Sequence, residues 1–208
     1  MIVLAFTVYL IPGLWGAPLK VISGFPPPMQ YSESSYGVGY TKLAAVNSGT
    51  NDHADFPEGA HLGPQDILSF DDYETGLAYA KKVGKPVLID FTGFACVNCR
   101  KMEERVWSEP HILELLNNDI VLISLYVDDK RPLPKGEEVT SKISGKKLKY
   151  IGQKWSEFQI LKYKANAQPF YVLMDHNEEN LIEPVGYTPD VDEYYEWLQT
   201  GVAAFKVH

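Results

Sequence analysis

The sequence predicts an α/β fold in which buried strands alternate with amphipathic helices. Three apolar runs rich in β-branched residues, at 86–91, 120–127 and 170–174, have the length and continuity of strands covered on both faces. Between and around them lie segments of helical periodicity, at 71–83, in the stretch that follows Cys99, at 153–163 and at 190–205. A Cys-x-x-Cys, Cys96-Val97-Asn98-Cys99, stands where the first of these runs gives way to a helical pattern. The resulting order of strands and helices is that of a layered α/β domain. At 208 residues and 45% hydrophobic content, the chain can bury one sizeable core and still carry appendages. A net charge of −8 argues against a nucleic-acid partner, which would require a basic face.

From the N-terminus, no charge appears before Lys20, and residues 2–11 are continuously apolar except for Thr7. A bilayer span takes ~20 apolar residues. This run reaches that length only by including Pro12, Gly13, Gly16 and Pro18, which kink its second half. A signal-peptide reading lacks a basic leading region and finds only a poor cleavage site near Ala17. Residues 24–63, opening on Pro26-Pro27-Pro28 and continuing without periodicity, read as an irregular tether. If flexible, such a segment has a reach of roughly 35 Å.

Residues 67–70 predict a short strand. Residues 71–83 predict a helix, with acidic residues in the first turn, Tyr73, Leu77 and Ala80 on one face, Lys81 and Lys82 in the last turn, and Gly84 as the stop. After the strand at 86–91 and the turn Thr92–Ala95, the helix beyond Cys96 directs Met102, Val106 and Trp107 inward. Glu109-Pro110 restarts a short helix through residue 116. Residues 128–152 form a Lys-, Pro- and Gly-rich insertion. Its eight basic residues between Lys130 and Lys154 read more readily as a solvated insertion than as a patch facing acidic lipid or an acidic partner. The helix at 153–163 turns Trp155 and Phe158 inward. Pro169 immediately precedes an apolar strand, residues 176–180 form a polar turn, and residues 181–185 form a closing strand. The final helix buries Tyr194, Trp197, Leu198 and Val202.

The chemistry concentrates at Cys96 and Cys99, the only cysteines in the chain. A thiol at a helix N-terminus meets free N–H groups and the positive end of the macrodipole, which favour the thiolate. A second thiol one turn later is close enough to attack a mixed disulfide from within. A structural zinc site takes about four ligands, and none of the five histidines stands at ligand spacing from another or from the cysteines. A structural disulfide closing so short a loop adds little stability. It remains open at this point, as do inert thiols.

Val87-Leu88-Ile89-Asp90-Phe91 followed by Cys-x-x-Cys resembles the active-site segment of the thioredoxin superfamily. The continuation Cys-Val-Asn-Cys-Arg-Lys-Met-Glu, then Val-Trp-Ser-Glu-Pro, is similar to the periplasmic C-terminal domain of the DsbD family of transmembrane thiol:disulfide interchange proteins, from about residue 67 onward. Ala95 stands where thioredoxins usually carry Trp, and Val97-Asn98 replaces their Gly-Pro. The resemblance implies a thioredoxin fold, a central mixed β-sheet flanked by helices, over residues 64–208 with the insertion at 128–152. It further implies that residues 1–23 are the end of a membrane helix and residues 24–63 a flexible tether. Cys96 would be the attacking thiol and Cys99 the resolving one. Asp90 would be the buried carboxylate of the fold and Glu103 a second acid, both raising the Cys96 pKa. For Glu103 a solvated helix face competes evenly. Pro169 would be the cis proline beside the cysteines, where the backbone at Gln168 and Pro169, with Ala95 across from it, meets the substrate chain.

The function implied is an extracytoplasmic protein-disulfide reductase at a bacterial inner membrane, with its thioredoxin-like domain on the periplasmic side. It would take electrons from a membrane-embedded donor domain and pass them to periplasmic disulfide proteins. No cofactor is implied beyond the Cys96–Cys99 pair itself, and no metal. Two alternatives stand beside it. One is a stand-alone anchored thioredoxin serving cytochrome c maturation. The other is a redox-inert interaction module whose cysteines staple the helix start.

Overall fold

The computed structural model describes residues 2–11, 56–134, 136 and 139–207. Its elements are α1 (Ile2–Leu10), β1 (Ala60–Leu62), β2 (Leu68–Phe70), α2 (Tyr73–Val83), β3 (Val87–Thr92), α3 (Val97–Arg105), α4 (Pro110–Asn118), β4 (Val121–Tyr126), α5 (Ile151–Tyr163), β5 (Phe170–Met174) and α6 (Val191–Val207). The sheet order is β1-β2-β4-β3-β5. β2, β4 and β3 run parallel, while β1 and β5 pair antiparallel at the two sides. This is the mixed sheet flanked by helices that the resemblance implies.

Side-chain alternation along β3 divides the interior in two. Val87, Ile89 and Phe91 point to a core shared with Tyr73, Leu77, Ile123 and Trp155, under α2 and α5. Leu88 points the other way, to a core with Met102, Trp107, Ile112, Leu122, Tyr194 and Leu198, under α3, α4 and α6. Every residue of β3 and β4 is buried. Each fully buried large apolar side chain there contributes ~1.5–3 kcal/mol of transfer free energy. By the same alternation Asp90 lies on the Leu88 face, beneath α3.

Local chemistry sets the boundaries. Asp72 caps α2 by accepting from Thr75 N at 3.0 Å, and Gly84 ends that helix in the left-handed region at φ 68°. Trp107 Nε1 donates to Tyr194 Oη at 3.1 Å and Trp197 Nε1 to the Glu183 carbonyl at 2.8 Å, so both buried indoles are satisfied.

Three expectations change. Ala60–Leu62, β1, pairs with Leu68–Phe70, β2, so a strand of the sheet stands ahead of residue 64, within the stretch 24–63 expected as a tether. Its remainder, residues 24–55, lies outside the described residues. The closing strand expected at 181–185 is instead two isolated bridges, Tyr171 with Val185 and Met174 with Asn180. Pro184 lies within that segment and has no N–H to continue a ladder. At the N-terminus α1 has nine residues, ~14 Å of helix against a hydrocarbon core of about 30 Å. Among the described residues no helix is long and apolar enough to cross a membrane. The rest of the expected membrane segment, residues 12–23, lies outside them.

Candidate active site

The site is built at one end of the sheet. β3 and β4 finish in register, Thr92 beside Tyr126, and the antiparallel pair Phe91–Phe170 brings the start of β5 to the same end. Beyond Thr92 the chain turns tightly, Cys96 N donating to the Gly93 carbonyl at 3.1 Å. Cys96 is the N-cap of α3, with extended backbone at φ −84° and ψ 100°. Its sulfur accepts from the Cys99 N–H at 3.1 Å, one of the four donors that a helix start leaves unpaired. The two cysteines are joined as a disulfide, with Cα atoms 5.3 Å apart. They are unequal: Cys96 is half-buried, whereas Cys99 is only 1% exposed.

The turn before Cys96 is held from β4. The Asp128 carboxylate accepts from the main-chain N–H of Phe94 at 2.9 Å and of Ala95 at 3.0 Å. The Phe94 ring stacks on Tyr126, centroids 4.1 Å apart. Gly93 suits this packing, since a Cβ there would come within 3.1–3.2 Å of the same carboxylate and force it to shift.

Beneath the disulfide lies a buried charge cluster. Asp90, Arg100 and Glu103 are all nearly inaccessible. Arg100 Nη2 is 2.6 Å from Glu103 Oε1 and donates to Thr92 Oγ1 at 3.1 Å. Burial pushes the Asp90 carboxyl up to about 7 against the opposing pull of Arg100. Burial likewise raises Glu103 to about 8, with Arg100 lowering it and Asp90 adding to the rise. One guanidinium therefore faces two carboxyls, and near neutrality the cluster holds a proton. Burial also raises the hydroxyl pKa values of Tyr171 and Tyr194 on this face, with Asp90 contributing to both, so both stay neutral.

On the opposite side of the turn, the Gln168–Pro169 bond is cis. The β3–β5 register places Pro169 just beyond the Phe91–Phe170 pair, level with the end of β3. Its approach is shaped by fully buried Gln159, whose Nε2 donates to the Ala167 carbonyl at 2.9 Å and whose Oε1 accepts from Gln168 Nε2 at 3.1 Å.

The residues singled out from the sequence thus converge. Cys96, Cys99 and Ala95 lie on the turn and helix start, Asp90 and Glu103 beneath them, and Gln168 and Pro169 at the same end of the sheet. Glu103 is buried rather than on a solvated face. Sequence reading missed Arg100, Asp128 and Gln159. For Arg100 a signal existed, since it stands three residues before Glu103 and so on a neighbouring position of the helix. For Asp128 and Gln159, 33 and 9 residues from their partners, it did not.

A thioredoxin-like family model matches residues 66–175, more than half of the chain. The thiol:disulfide interchange protein DsbD of Salmonella typhi is 36% identical over 63 residues, 30% of this chain and 11% of that protein. Its counterpart from Cronobacter sakazakii is 36% identical over the same length and the same shares. The match therefore spans only a small part of those relatives. Among solved structures, a DsbH oxidoreductase aligns with 79% of this chain and 99% of its own, at a TM-score of 0.49 and 18% identity. A thioredoxin from Thermus thermophilus aligns over 61% of this chain and 81% of its own, at 0.43 and 22%.

Proposed function

The chain belongs to the thioredoxin-like family, and from that premise we propose that it is an extracytoplasmic protein-disulfide reductase. In this reading it takes electrons from a membrane-embedded cysteine pair and passes them to disulfide proteins of the periplasm. The observation that carries the reading is the inequality of the two thiols. Cys96 caps a helix N-terminus and is within reach of a partner, whereas Cys99 is covered. A helix staple has no use for that asymmetry, and thiol exchange requires it. The match to a DsbD segment supports the choice of compartment and of electron donor.

In the reduced protein the Cys96 thiolate attacks one sulfur of a partner disulfide. That bond breaks, a Cys96–partner disulfide forms, and the released partner thiolate takes up a proton. Cys99 then gives up its proton and attacks the Cys96 sulfur. The Cys96–Cys99 bond forms, the second partner thiolate leaves and is protonated, and two electrons have passed to the partner. A membrane dithiol returns them by the reverse sequence. Carboxyls poised near neutrality, Asp90 and Glu103, suit the proton that Cys99 must lose. Above about pH 8 both are ionised and oppose a thiolate at Cys96.

Cys99→Ser keeps the attacking thiol and loses the resolving one, so it accumulates reducible mixed disulfides with partner proteins on a non-reducing gel. Cys96→Ser accumulates few. Equal trapping by both variants would overturn the reading. A glutathione titration of the pair gives the direction: a potential well below roughly −200 mV supports a reductase, and one near −120 mV an oxidase.

A further inference from the structure

Among its described residues, the insertion that follows β4 pairs as a hairpin. Pro132 bridges Tyr150 and Thr140 bridges Lys147. Leu133 N donates to the Lys149 carbonyl at 3.1 Å and Leu148 N to the Val139 carbonyl at 2.9 Å. Its tip is tied by the buried Ser141, whose hydroxyl accepts from Ile143 N at 3.2 Å and Ser144 N at 2.9 Å. At the base, Lys130 Nζ lies over the Tyr150 ring, 5.9 Å from its centroid.

Between Lys130 and Lys154 stand eight of the chain's 19 Lys and Arg residues but only two of its 27 Asp and Glu residues. A strongly basic arm is thus attached to a chain of net charge −8. Lys130, Lys142, Lys146 and Lys149 are exposed on it, while Arg131 is taken up by Asp129 and Asp71.

The arm departs from the end of the sheet that carries the disulfide. It begins two residues after Asp128, whose carboxylate holds the Phe94–Ala95 turn ahead of Cys96. Asp129 pins the hairpin base by accepting from Arg131 N at 2.8 Å through its side chain and from Gly152 N at 3.1 Å through its carbonyl. The base of the arm therefore adjoins the turn that leads into Cys96, and its tip is tied to α5, where Lys142 N donates to Glu157 Oε1 at 2.6 Å.

We infer that the hairpin strands at 130–134 and 139–149, with their exposed Lys130, Lys142, Lys146 and Lys149, form a docking arm for an acidic segment of the disulfide-bearing partner. The inference rests on the reductase reading above and adds the charge class of the substrate to it. Elsewhere the acidic chain repels such a segment. At the arm, an ordered array of exposed ammonium groups attracts it and raises the encounter rate, an effect screened once the Debye length shrinks at high salt. A protein partner is favoured over a lipid surface because the arm's base adjoins the turn that leads into Cys96, the end of the sheet that a thiol-exchange partner approaches.

Two synthetic peptides of equal length test this, each closed by one intramolecular disulfide, one carrying four glutamates and the other four glutamines. The full chain, reduced beforehand, passes two electrons and two protons to either peptide and is left with Cys96–Cys99 oxidised. The acidic peptide is expected to react ~10-fold faster than the neutral one at low ionic strength, the ratio falling towards 1 in 0.5 M NaCl. In the Lys142→Glu, Lys146→Glu, Lys149→Glu variant the preference is lost or reversed, while the neutral peptide still reacts at its original rate, which confirms a folded protein and an intact pair. A ratio near 1 in the natural chain, or one unchanged in the variant, overturns the inference and leaves the reductase reading standing. Reaction with neither peptide defeats the reductase reading itself, and the inference with it. A variant that keeps the peptide ratio but loses binding to phosphatidylglycerol vesicles makes the arm a membrane contact and overturns the inference.

Discussion

Arg100 and Glu103, one turn apart on α3, face each other in the interior with Nη2 2.6 Å from Oε1, and the same nitrogen reaches the Thr92 hydroxyl at the end of β3. The pair links the helix that carries both cysteines to the strand that leads into them. Removing one partner leaves the other buried without compensation. At pH 9, where Glu103 is ionised, Arg100→Met is therefore expected to lower unfolding free energy by ~3–5 kcal/mol, whereas Arg100→Met with Glu103→Met recovers most of the loss. Urea unfolding of the two variants checks this; equal losses would mean that the pair is not coupled.

The buried carboxyls give stability a definite pH slope. Their folded pKa values, about 7 for Asp90 and about 8 for Glu103, stand above the ordinary values of 3.8 and 4.5. Between the ordinary and the raised value the folded protein keeps a proton that the unfolded chain releases, so stability falls as pH rises. The slope reaches ~1.4 kcal/mol per pH unit for each group. Asp90's contribution levels off above about pH 7 and Glu103's above about pH 8. Asp90→Asn should remove its share of the slope below about pH 7, leaving that of Glu103, and Glu103→Gln should remove its share up to about pH 8, leaving that of Asp90. Urea midpoints of the oxidised protein from pH 4.5 to 9 read this out, and parallel curves for all three proteins would refute the assignment.

Asp128 holds the turn ahead of Cys96 through two main-chain bonds from a charged acceptor. Asp128→Ala is expected to cost about 1–3 kcal/mol per unsatisfied N–H that water does not reach. The turn should also loosen selectively. Hydrogen exchange at the Phe94 and Ala95 amides would rise by at least ~10-fold, while that of β3 and β4 stays unchanged. Uniform acceleration across the domain would point to general destabilisation instead.

The N-terminal limit of the domain follows from β1. A chain beginning at Phe56 keeps the Ala60–Leu62 strand, whereas one beginning at Gly63 strips it and bares the outer edge of β2. The shorter chain should unfold at lower urea, by about 1 kcal/mol for each ladder bond lost, and aggregate more readily. Identical midpoints would show that β1 is dispensable.

The features legible in the chain are those that short-range chemistry encodes. The apolar run of β3 reads as a strand because its residues fit a pleated, doubly covered surface. The Cys96 site is legible because a strand, a Gly-containing turn and a helical period follow one another within a few residues, whereas Pro169 reads locally only as a proline at a strand entry and takes its cis role from the family resemblance. Where a local signal was overridden the cause is equally local: Pro184 removes a donor from the segment expected to close the sheet. Tertiary structure alone decided the rest. The three residues of β1 are too few to show a period, and they become a strand only because β2 offers an unpaired edge. Asp90 and Glu103 acquire raised pKa values from desolvation, which depends on how α3 lies over β3 rather than on neighbouring residues. Asp128 reaches the Cys96 turn across 33 residues because β3 and β4 end side by side in a parallel sheet. By that register the chain leaves β4 for the basic hairpin at the same end of the sheet where it leaves β3 for the disulfide, and chain spacing carries no record of it.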